Sequence, residues 1–336
     1  MNNDRIQEIL DLMEEARLDY FLISDPQSIA YCTGYYNDPH ERMFVFMISK
    51  HGNHTLFMND LFYLEHDLDV NIVWHKDGQD AIQTIVDEMH FPGRIGIDKN
   101  WASHFLLDLM KKLPDAKYIN ASPCVDLVRM KKDLQEQVLM IESSKINDAV
   151  MEEIIPFIQE GVTEKQLAKK LDELFFNHHS TCYGAIVAFG KNAADPHHEN
   201  DDTPLRKGDC VLIDMGCVYK GYCSDMTRTF FYEGILEEEI KVYEIVKKAN
   251  EAAEAMIKPG VKLSDIDKCA RKVISDEGYG KYFTHRLGHF IGRDVHEYGD
   301  VSSVNEMEVE VCRFTPFLST LYLFLYCFTL NLSTFF

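Results

Sequence analysis

The amino-acid sequence predicts an α/β protein, in the broad sense that includes α+β folds, built from two domains. Short apolar segments alternate with amphipathic helical segments along residues 1–125. The length of 336 residues exceeds the usual size of one domain, and the composition, 46% hydrophobic and 26% charged, is typical of a globular protein with ample core. This composition excludes disorder, collagen and coiled coil as descriptions of the whole chain.

The first domain shows the alternation most clearly. Its predicted elements are helices at 5–17 and 79–89 and strands at 20–23, 43–48, 55–58, 71–74 and 95–97. The segment His51-Gly52-Asn53 lies between two of these strands and is a hairpin signal. Helices and strands in this order predict an α/β sandwich domain.

The second domain is predicted to begin after a boundary near residues 123–132. Its predicted elements are helices at 131–159, 163–176, 237–257 and 264–276 and strands at 185–189, 210–214 and 222–231. The longest of these helices has an apolar stripe, and Gly161 follows its end.

Charge and cysteine usage narrow the class of protein. The chain has 34 lysine and arginine residues and 55 aspartate and glutamate residues, so its net charge is −21. This charge argues against binding to nucleic acid or to an anionic membrane. The polar start of the chain shows no signal-peptide pattern. Nine scattered cysteines without a Cys-x-x-Cys pair argue against a disulfide framework or a zinc ribbon, so a reducing, cytoplasmic location is expected.

A carboxylate pair is the first candidate site. Residues 211–229 indicate a hairpin, and a turn centred on Tyr219-Lys220 would place Asp214 opposite Asp225, with Cβ atoms about 5 Å apart. Two opposed anions on an apolar sheet destabilise it unless a cation lies between them, and a divalent metal ion meets that need. The alternative is a pair of polar strand ends in water.

Two histidine motifs add to this candidate. Residues 285–297 hold three histidines, and Gly288 and Gly292 flank the middle one, His289. A neutral imidazole is a good metal ligand, and a second imidazole can move protons near pH 7. A further motif, residues 192–199, contains a turn at Pro196 that presents His197, although on its own this motif favours a solvated loop.

Together the three motifs resemble the metallopeptidase family of prolidases (Xaa-Pro dipeptidases), Xaa-Pro aminopeptidases and methionine aminopeptidases, whose catalytic domain has the pita-bread fold. Upstream, residues 31–42 are similar to the N-terminal domain of bacterial Xaa-Pro peptidases. The resemblance implies a creatinase-like α/β domain at 1–125 and an incomplete pita-bread catalytic domain at 132–310.

The resemblance also implies a site and an activity. Asp214, Asp225 and His289 match three metal ligands, with Asp225 bridging two ions, and His197 and His296 match catalytic histidines on the substrate side. The implied cofactor is two divalent metal ions, Mn²⁺ first, with Co²⁺ or Zn²⁺ able to substitute. The implied reaction is hydrolysis of X-Pro bonds in di- or oligopeptides by a homodimer; dipeptidase and aminopeptidase activity both stay open.

The sequence departs from the family pattern after Glu310. Both family metal-binding glutamates are missing, and residues 311–336 carry one charge, Arg313, and eight aromatic side chains. We expect a frameshifted or misread C-terminus; a membrane tail anchor and an authentic variant tail are the alternatives. A spanning helix needs about 20 apolar residues, and Ser, Thr and Asn interrupt this run.

Three functions therefore compete. The first is a dinuclear metallopeptidase acting on X-Pro peptides. The second is a non-catalytic binding or scaffold protein with the pita-bread fold, which the missing glutamates favour. The third is a metal-free amidinohydrolase of the creatinase type. The retained Asp214, Asp225 and His289 favour the peptidase over both alternatives.

Overall fold

The structure is a computed structural model, and it describes residues 1–90 and 92–310 and the backbone of Phe328–Leu330. The chain divides into two compact units, Met1–Arg129 and Met130–Phe336, and each mixes helices with strands. Apart from Phe328–Leu330, the tail expected at 311–336 lies outside the described residues. Within the described part of the chain, no helix is both long enough and apolar enough to span a membrane.

The first unit is built on one six-stranded sheet. Its elements are α1 (Asn3–Glu15), β1 (Tyr20–Ile23), α2 (Pro26–Thr33), β2 (Val45–Ser49), β3 (Thr55–Asn59), β4 (Asn71–His75), α3 (Ala81–Glu88), β5 (Arg94–Ile97), α4 (Ser103–Lys112), β6 (Lys117–Asn120) and α5 (Ser122–Met130). The strand order is β4-β3-β2-β1-β5-β6, with β1–β2 and β2–β3 antiparallel and the other pairs parallel.

The centre of this sheet is buried on both faces. All residues of β1, β2 and β3 are buried, and neighbouring side chains such as Phe21 and Leu22 belong to separate apolar clusters. Continuous apolar strands of this kind are expected where helices cover both faces of a sheet. The sequence prediction missed α2, α4, α5 and β6. In the case of α2 the reason is that the helix is almost entirely buried, so its sequence lacks an amphipathic period.

Within its described residues, the second unit contains three small sheets. Its elements are α6 (Leu134–Ile154), α7 (Glu164–Asn177), β7 (Thr181–Cys182), β8 (Ile186–Phe189), β9 (Cys210–Met215), β10 (Cys217–Tyr219), β11 (Tyr222–Cys223), β12 (Met226–Phe231), α8 (Glu237–Met256), α9 (Leu263–Asp276), β13 (Gly288–Phe290), β14 (Glu297–Val301) and β15 (Phe328–Leu330). The sheets have the orders β11-β10-β7, β12-β9-β8 and β14-β13-β15.

A pair of helices packs on each of the two larger cores of this unit. One core joins α6 and α7 to β8 and β9, with Leu167 and Ile213 among its fully buried side chains. The other joins α8 and α9 to β13 and β14, with Ile266 and Phe290 among its buried side chains. The strands that carry the candidate site residues are therefore held by packed helices.

Two predicted elements differ from the observed ones. Helix α6 ends at Ile154 and not near residue 159, because Pro156 lies in the 3₁₀ turn that follows. The helix begins after Asp133, whose side chain and that of Glu136 form a capping box. The strand predicted at 222–231 is divided into β11 and β12 by residues 224–225.

The predicted register of the central hairpin is wrong by two residues. Asp214 pairs with Thr227, and not with Asp225. The turn is centred on Lys220-Gly221, whose φ angles of 48° and 81° are both positive, as a type I′ hairpin turn requires. Because side chains alternate with a period of two, a shift of two residues leaves both aspartates on the same face.

Candidate active site

The two aspartates lie close together at one end of the central hairpin. Asp214 is on β9, and its Oδ1 accepts a hydrogen bond of 2.8 Å from the Thr227 hydroxyl. Burial, and then the charge of Asp225, raise the pKa of Asp214 to about 6, against the opposing effects of Thr227 and His289. The two carboxylates therefore repel each other, and a cation between them would relieve that repulsion.

Tyr183 contacts the second aspartate. Its hydroxyl donates to the Ser224 carbonyl at 2.8 Å and lies 3.3 Å from Asp225 Oδ1. A Cβ atom at position 216 would lie 1.8 Å from this hydroxyl, so only glycine leaves room for the tyrosine there. Burial, and then the charges of Asp225 and Asp214, raise the pKa of Tyr183, so the phenol keeps its proton and stays a donor.

His289 faces the same aspartate from β13. It is buried, and its Nε2 lies 3.3 Å from Asp225 Oδ2, while its Nδ1 lies 3.3 Å from the Phe290 carbonyl oxygen. Strand β15 pairs with β13 and places Thr329 opposite His289.

The two predicted catalytic histidines lie near this group. His296 immediately precedes β14, and its ring packs edge-on against the His289 ring with centroids 4.1 Å apart. Partial burial, and then the charge of His289, lower the pKa of His296; a smaller contribution comes from His197. His197 is exposed on the loop after β8 and is therefore within electrostatic reach of His296. The ring of His285, from the same motif as His289, packs on Phe283.

A buried ion pair fixes the residue that follows His296. Lys132 Nζ lies 2.6 Å from Glu297 Oε2, and the two side chains are only 1% and 5% exposed. The Arg293 backbone N–H donates to Glu297 Oε1 at 2.9 Å. A Cβ atom at Gly292 would lie 2.7 Å from this carboxylate, so the chain passes close to it there. These contacts fix Glu297 and therefore restrain the backbone of the adjacent His296.

Sequence reasoning missed Tyr183, Thr227 and Lys132. Thr227 could have been found from the hairpin, because Gly221 after Lys220 marks the turn that sets the register. Tyr183 and Lys132 carry no local signal, since their partners are 42 and 165 residues away in the chain.

The donor set of the site fits a divalent cation. Two carboxylates and one imidazole are suitable ligands for Mn²⁺, and burial together with the charge of Asp225 raises the pKa of Asp214 to about 6. Elsewhere among the described residues, Glu164, His198 and Asp201 form a tight acidic–histidine group, whose ligand atoms all lie within 4.8 Å of one another.

Comparisons with known proteins agree over most of the chain. A sequence model of metallopeptidase family M24 matches residues 138–313, and one of the creatinase/prolidase N-terminal domain matches residues 5–131. An uncharacterized peptidase of Staphylococcus aureus is 33% identical over 315 residues, which are 91% of this chain and 88% of that protein.

Solved structures show the same similarity in three dimensions. A dipeptidase from Pyrococcus horikoshii is 34% identical with a TM-score of 0.84, and the match covers 92% of this chain and 88% of the other. A prolidase from Thermococcus sibiricus is 30% identical with a TM-score of 0.87, covering 93% of this chain and 88% of the other.

Proposed function

Because this chain belongs to metallopeptidase family M24, we propose that it hydrolyses X-Pro bonds in dipeptides or short peptides. The predicted architecture is confirmed, since a creatinase-like N-terminal domain precedes a catalytic domain that matches pita-bread prolidase structures. Solved relatives named as a prolidase and a dipeptidase support X-Pro dipeptides as the substrate class.

The meeting of Asp214, Asp225 and His289 is the observation that carries the proposal. The buried imidazole lies 3.3 Å from one carboxylate, and the pKa of the second carboxylate is raised to about 6. Together these groups form a set of ligands suited to a cation. These three residues would hold the metal. A bound divalent ion would supply Lewis-acid chemistry, which would polarise the peptide carbonyl and lower the pKa of water.

The chain's own residues supply the rest of the chemistry. His296 has a lowered pKa, so its imidazole is neutral near pH 7 and can donate one hydrogen bond to the oxygen that gains charge as the peptide bond is attacked. Tyr183 holds the Asp225 carboxylate from the side opposite His289, because the two contact different oxygens. His197, exposed on its loop, contributes to substrate binding.

Family resemblance adds a second metal ion bridged by Asp225 and a homodimer to the proposal. Mn²⁺ is proposed as the native metal because carboxylate and imidazole donors suit it. A cytoplasmic location is proposed because the cysteines show no disulfide pattern. A non-catalytic binding protein is the second candidate function. It is favoured by one observation, the lack of any acidic residue in 311–336, where the resemblance leads one to expect two metal-binding glutamates.

The test is Mn²⁺-dependent release of proline from Ala-Pro by the 336-residue chain. We expect slow hydrolysis that Asp225→Asn abolishes, because a neutral amide is a weak bridging ligand. The matched control is Asp276→Asn, whose carboxylate is exposed and pairs with Lys272 on the surface; this variant should keep the activity.

Three outcomes would contradict the proposal. Unchanged hydrolysis in Asp225→Asn would remove this residue from the site. Binding of Ala-Pro without any hydrolysis would support the binding protein. Turnover of creatine without metal would support the amidinohydrolase.

A further inference from the structure

Glu164 is a buried carboxylate that the proposed mechanism does not use. It is the first residue of α7, directly after the capping residue Thr163, and it is 0% exposed. Its two oxygens each have two nitrogen partners: Oε1 lies 2.9 Å from Phe189 N and 2.9 Å from Asn192 Nδ2, and Oε2 lies 2.6 Å from His198 Nε2 and 3.1 Å from Asp201 N. A buried carboxylate without such partners would be strongly destabilising.

These four partners lie at both ends of one loop. We call residues 190–203 the anchored loop. Glu164 contacts Phe189, just before this loop, and Asn192, near its start. It also contacts His198 and Asp201 in the second half of the loop. Further bonds tie the loop to β8 and to the residue before it: the Asn200 amide donates to the Ala185 carbonyl at 2.7 Å, and Asn200 Oδ1 accepts from Val187 N at 2.7 Å. The ends of the loop are therefore tied to one buried residue.

The anchored loop carries His197, next to His198. The described contacts of His197 are made by its backbone, whose N–H donates to Asp195 Oδ1 at 3.1 Å. The His197 ring is exposed, so its own contacts do not fix its direction. His198, in contrast, is held by Glu164 at 2.6 Å with only 12% of its side chain exposed. The position of the candidate catalytic histidine is thus set through its neighbour.

Glu164, His198 and Asp201 also form the tight group that could hold a metal ion, and their bonding argues against that role. A carboxylate has about four lone-pair positions, and Glu164 uses them for four nitrogen partners. Asp201 Oδ1 accepts from Thr203 N at 2.6 Å. The group is satisfied by hydrogen bonds and leaves no vacant position on Glu164.

We propose that Glu164 is a positioning residue that holds His197 toward the active site by anchoring His198 and the loop around it. This inference rests on the proposed function, in which His197 binds substrate. Glu164 itself touches neither substrate nor metal. Its effect on the reaction passes through the anchored loop.

The first test is hydrogen exchange of the full chain, measured peptide by peptide. In Glu164→Gln, one oxygen that accepts two hydrogen bonds becomes an amide that cannot accept them. We expect the peptide spanning 190–203 to exchange about ten- to a hundredfold faster, with α8 and α9 unchanged. Glu173→Gln is the matched control, because Glu173 is on the same helix and its side chain is 53% exposed. Unchanged exchange at 190–203, or a uniform rise throughout the unit, would overturn the proposal.

His198→Ala covers the case in which Glu164→Gln does not fold. It removes the direct link between Glu164 and the residue beside His197 and leaves the other three bonds to Glu164 in place. The same local rise in exchange at 190–203 is expected, and its absence would count against the proposal.

The second test is a double-mutant cycle on Mn²⁺-dependent Ala-Pro hydrolysis. We expect Glu164→Gln to lower turnover by about 10²-fold in the parent chain and to have no further effect in a His197→Ala background. A purely structural role predicts the same loss in both backgrounds, which would overturn the proposal. If the parent chain hydrolyses no Ala-Pro, the proposed function fails, and the exchange measurement still decides the role of Glu164.

Discussion

Two neighbouring lysines, Lys131 and Lys132, have very different surroundings. The Lys132–Glu297 pair is almost completely buried, whereas the side chains of Lys131 and Glu310 are 54% and 56% exposed. Removing one partner from a buried ion pair leaves an uncompensated charge and costs about 3–5 kcal/mol. An exposed pair contributes only about 0–1 kcal/mol, because water already solvates both charges.

This contrast predicts the effects of two substitutions. Lys132→Met should lower the free energy of unfolding by about 3–5 kcal/mol, and Lys131→Met by less than about 1 kcal/mol. Urea unfolding of the full chain measures both. Equal losses in the two variants would show that the Lys132–Glu297 pair is not buried in solution.

A second prediction at the residue scale concerns His296. Its ring lies beside His289 but has no contact with Asp214 or Asp225 among its described ring contacts, so it should act on the substrate and not on the metal. We expect His296→Ala to lower turnover by about 10²–10⁴-fold while Mn²⁺ content changes little. His285→Ala is the control, since its ring packs on Phe283. Loss of metal in His296→Ala would instead make His296 a ligand.

The residues that sequence reasoning identified are those whose type alone suggests chemistry. Asp214, Asp225 and His289 lie in short sequence motifs, and their carboxylate and imidazole groups are typical metal ligands. Lys132 and Glu164 could not be found in this way. Lysine and glutamate are common surface residues, and only the fold shows that these two are buried and paired.

Among the elements, the β9–β12 hairpin shows both the reach and the limit of sequence analysis. Sequence analysis predicts the strands but places the turn one residue too early. Gly221 indicates the correct turn, whereas the left-handed conformation of Lys220 is not evident from its residue type. Helix α6 shows the same limit, since its predicted end ignored Pro156. Element type follows from hydrophobic period, whereas ends and register depend on single residues.

The close packing at Gly216 predicts an effect at the scale of this hairpin. A methyl group there would lie 1.8 Å from the Tyr183 hydroxyl and 2.1 Å from the Ser224 carbonyl oxygen, so side chain and backbone must both move. We expect Gly216→Ala to destabilise the protein by about 1–3 kcal/mol and to weaken Mn²⁺ binding by displacing Tyr183 from Asp225.

A double variant tests whether the hydroxyl alone causes this effect. Tyr183→Phe removes the hydroxyl but keeps the ring carbon Cζ, 2.3 Å from the added methyl group, and the Ser224 carbonyl, so it should not restore stability to Gly216→Ala. Thermal unfolding and Mn²⁺ calorimetry measure both properties. Full recovery of stability in the double variant would show that the backbone contact is unimportant.

For the whole molecule, the two-unit architecture and the family were accessible from sequence, because motifs in a fixed order are specific even when each alone is not. The metal content of the chain is a prediction at this scale. Asp214, Asp225 and His289 supply two carboxylates and one imidazole, and residues 311–336 contain no acidic residue. Two divalent ions with so few anionic ligands would carry excess positive charge in an incomplete coordination sphere.

We therefore expect the 336-residue chain to bind Mn²⁺ weakly, with the second ion bound most weakly, and to turn over Ala-Pro slowly. Calorimetric titration gives the stoichiometry, and Asp225→Asn should abolish the remaining binding. Tight binding of two ions with rapid turnover would contradict this expectation and would mean that other carboxylates complete the site.

The type I′ turn at Lys220-Gly221 also limits how this hairpin can be altered in length. Asp214 pairs with Thr227, which lies two residues after Asp225. Because side chains alternate between the two faces of a strand, both aspartates face the same side. An odd number of residues inserted into either strand arm would rotate one carboxylate to the opposite face of the sheet, unless a bulge absorbed the extra residue. Insertions and deletions in pairs would preserve the arrangement, so loop grafting or natural length variation in this hairpin should be tolerated mainly in steps of two.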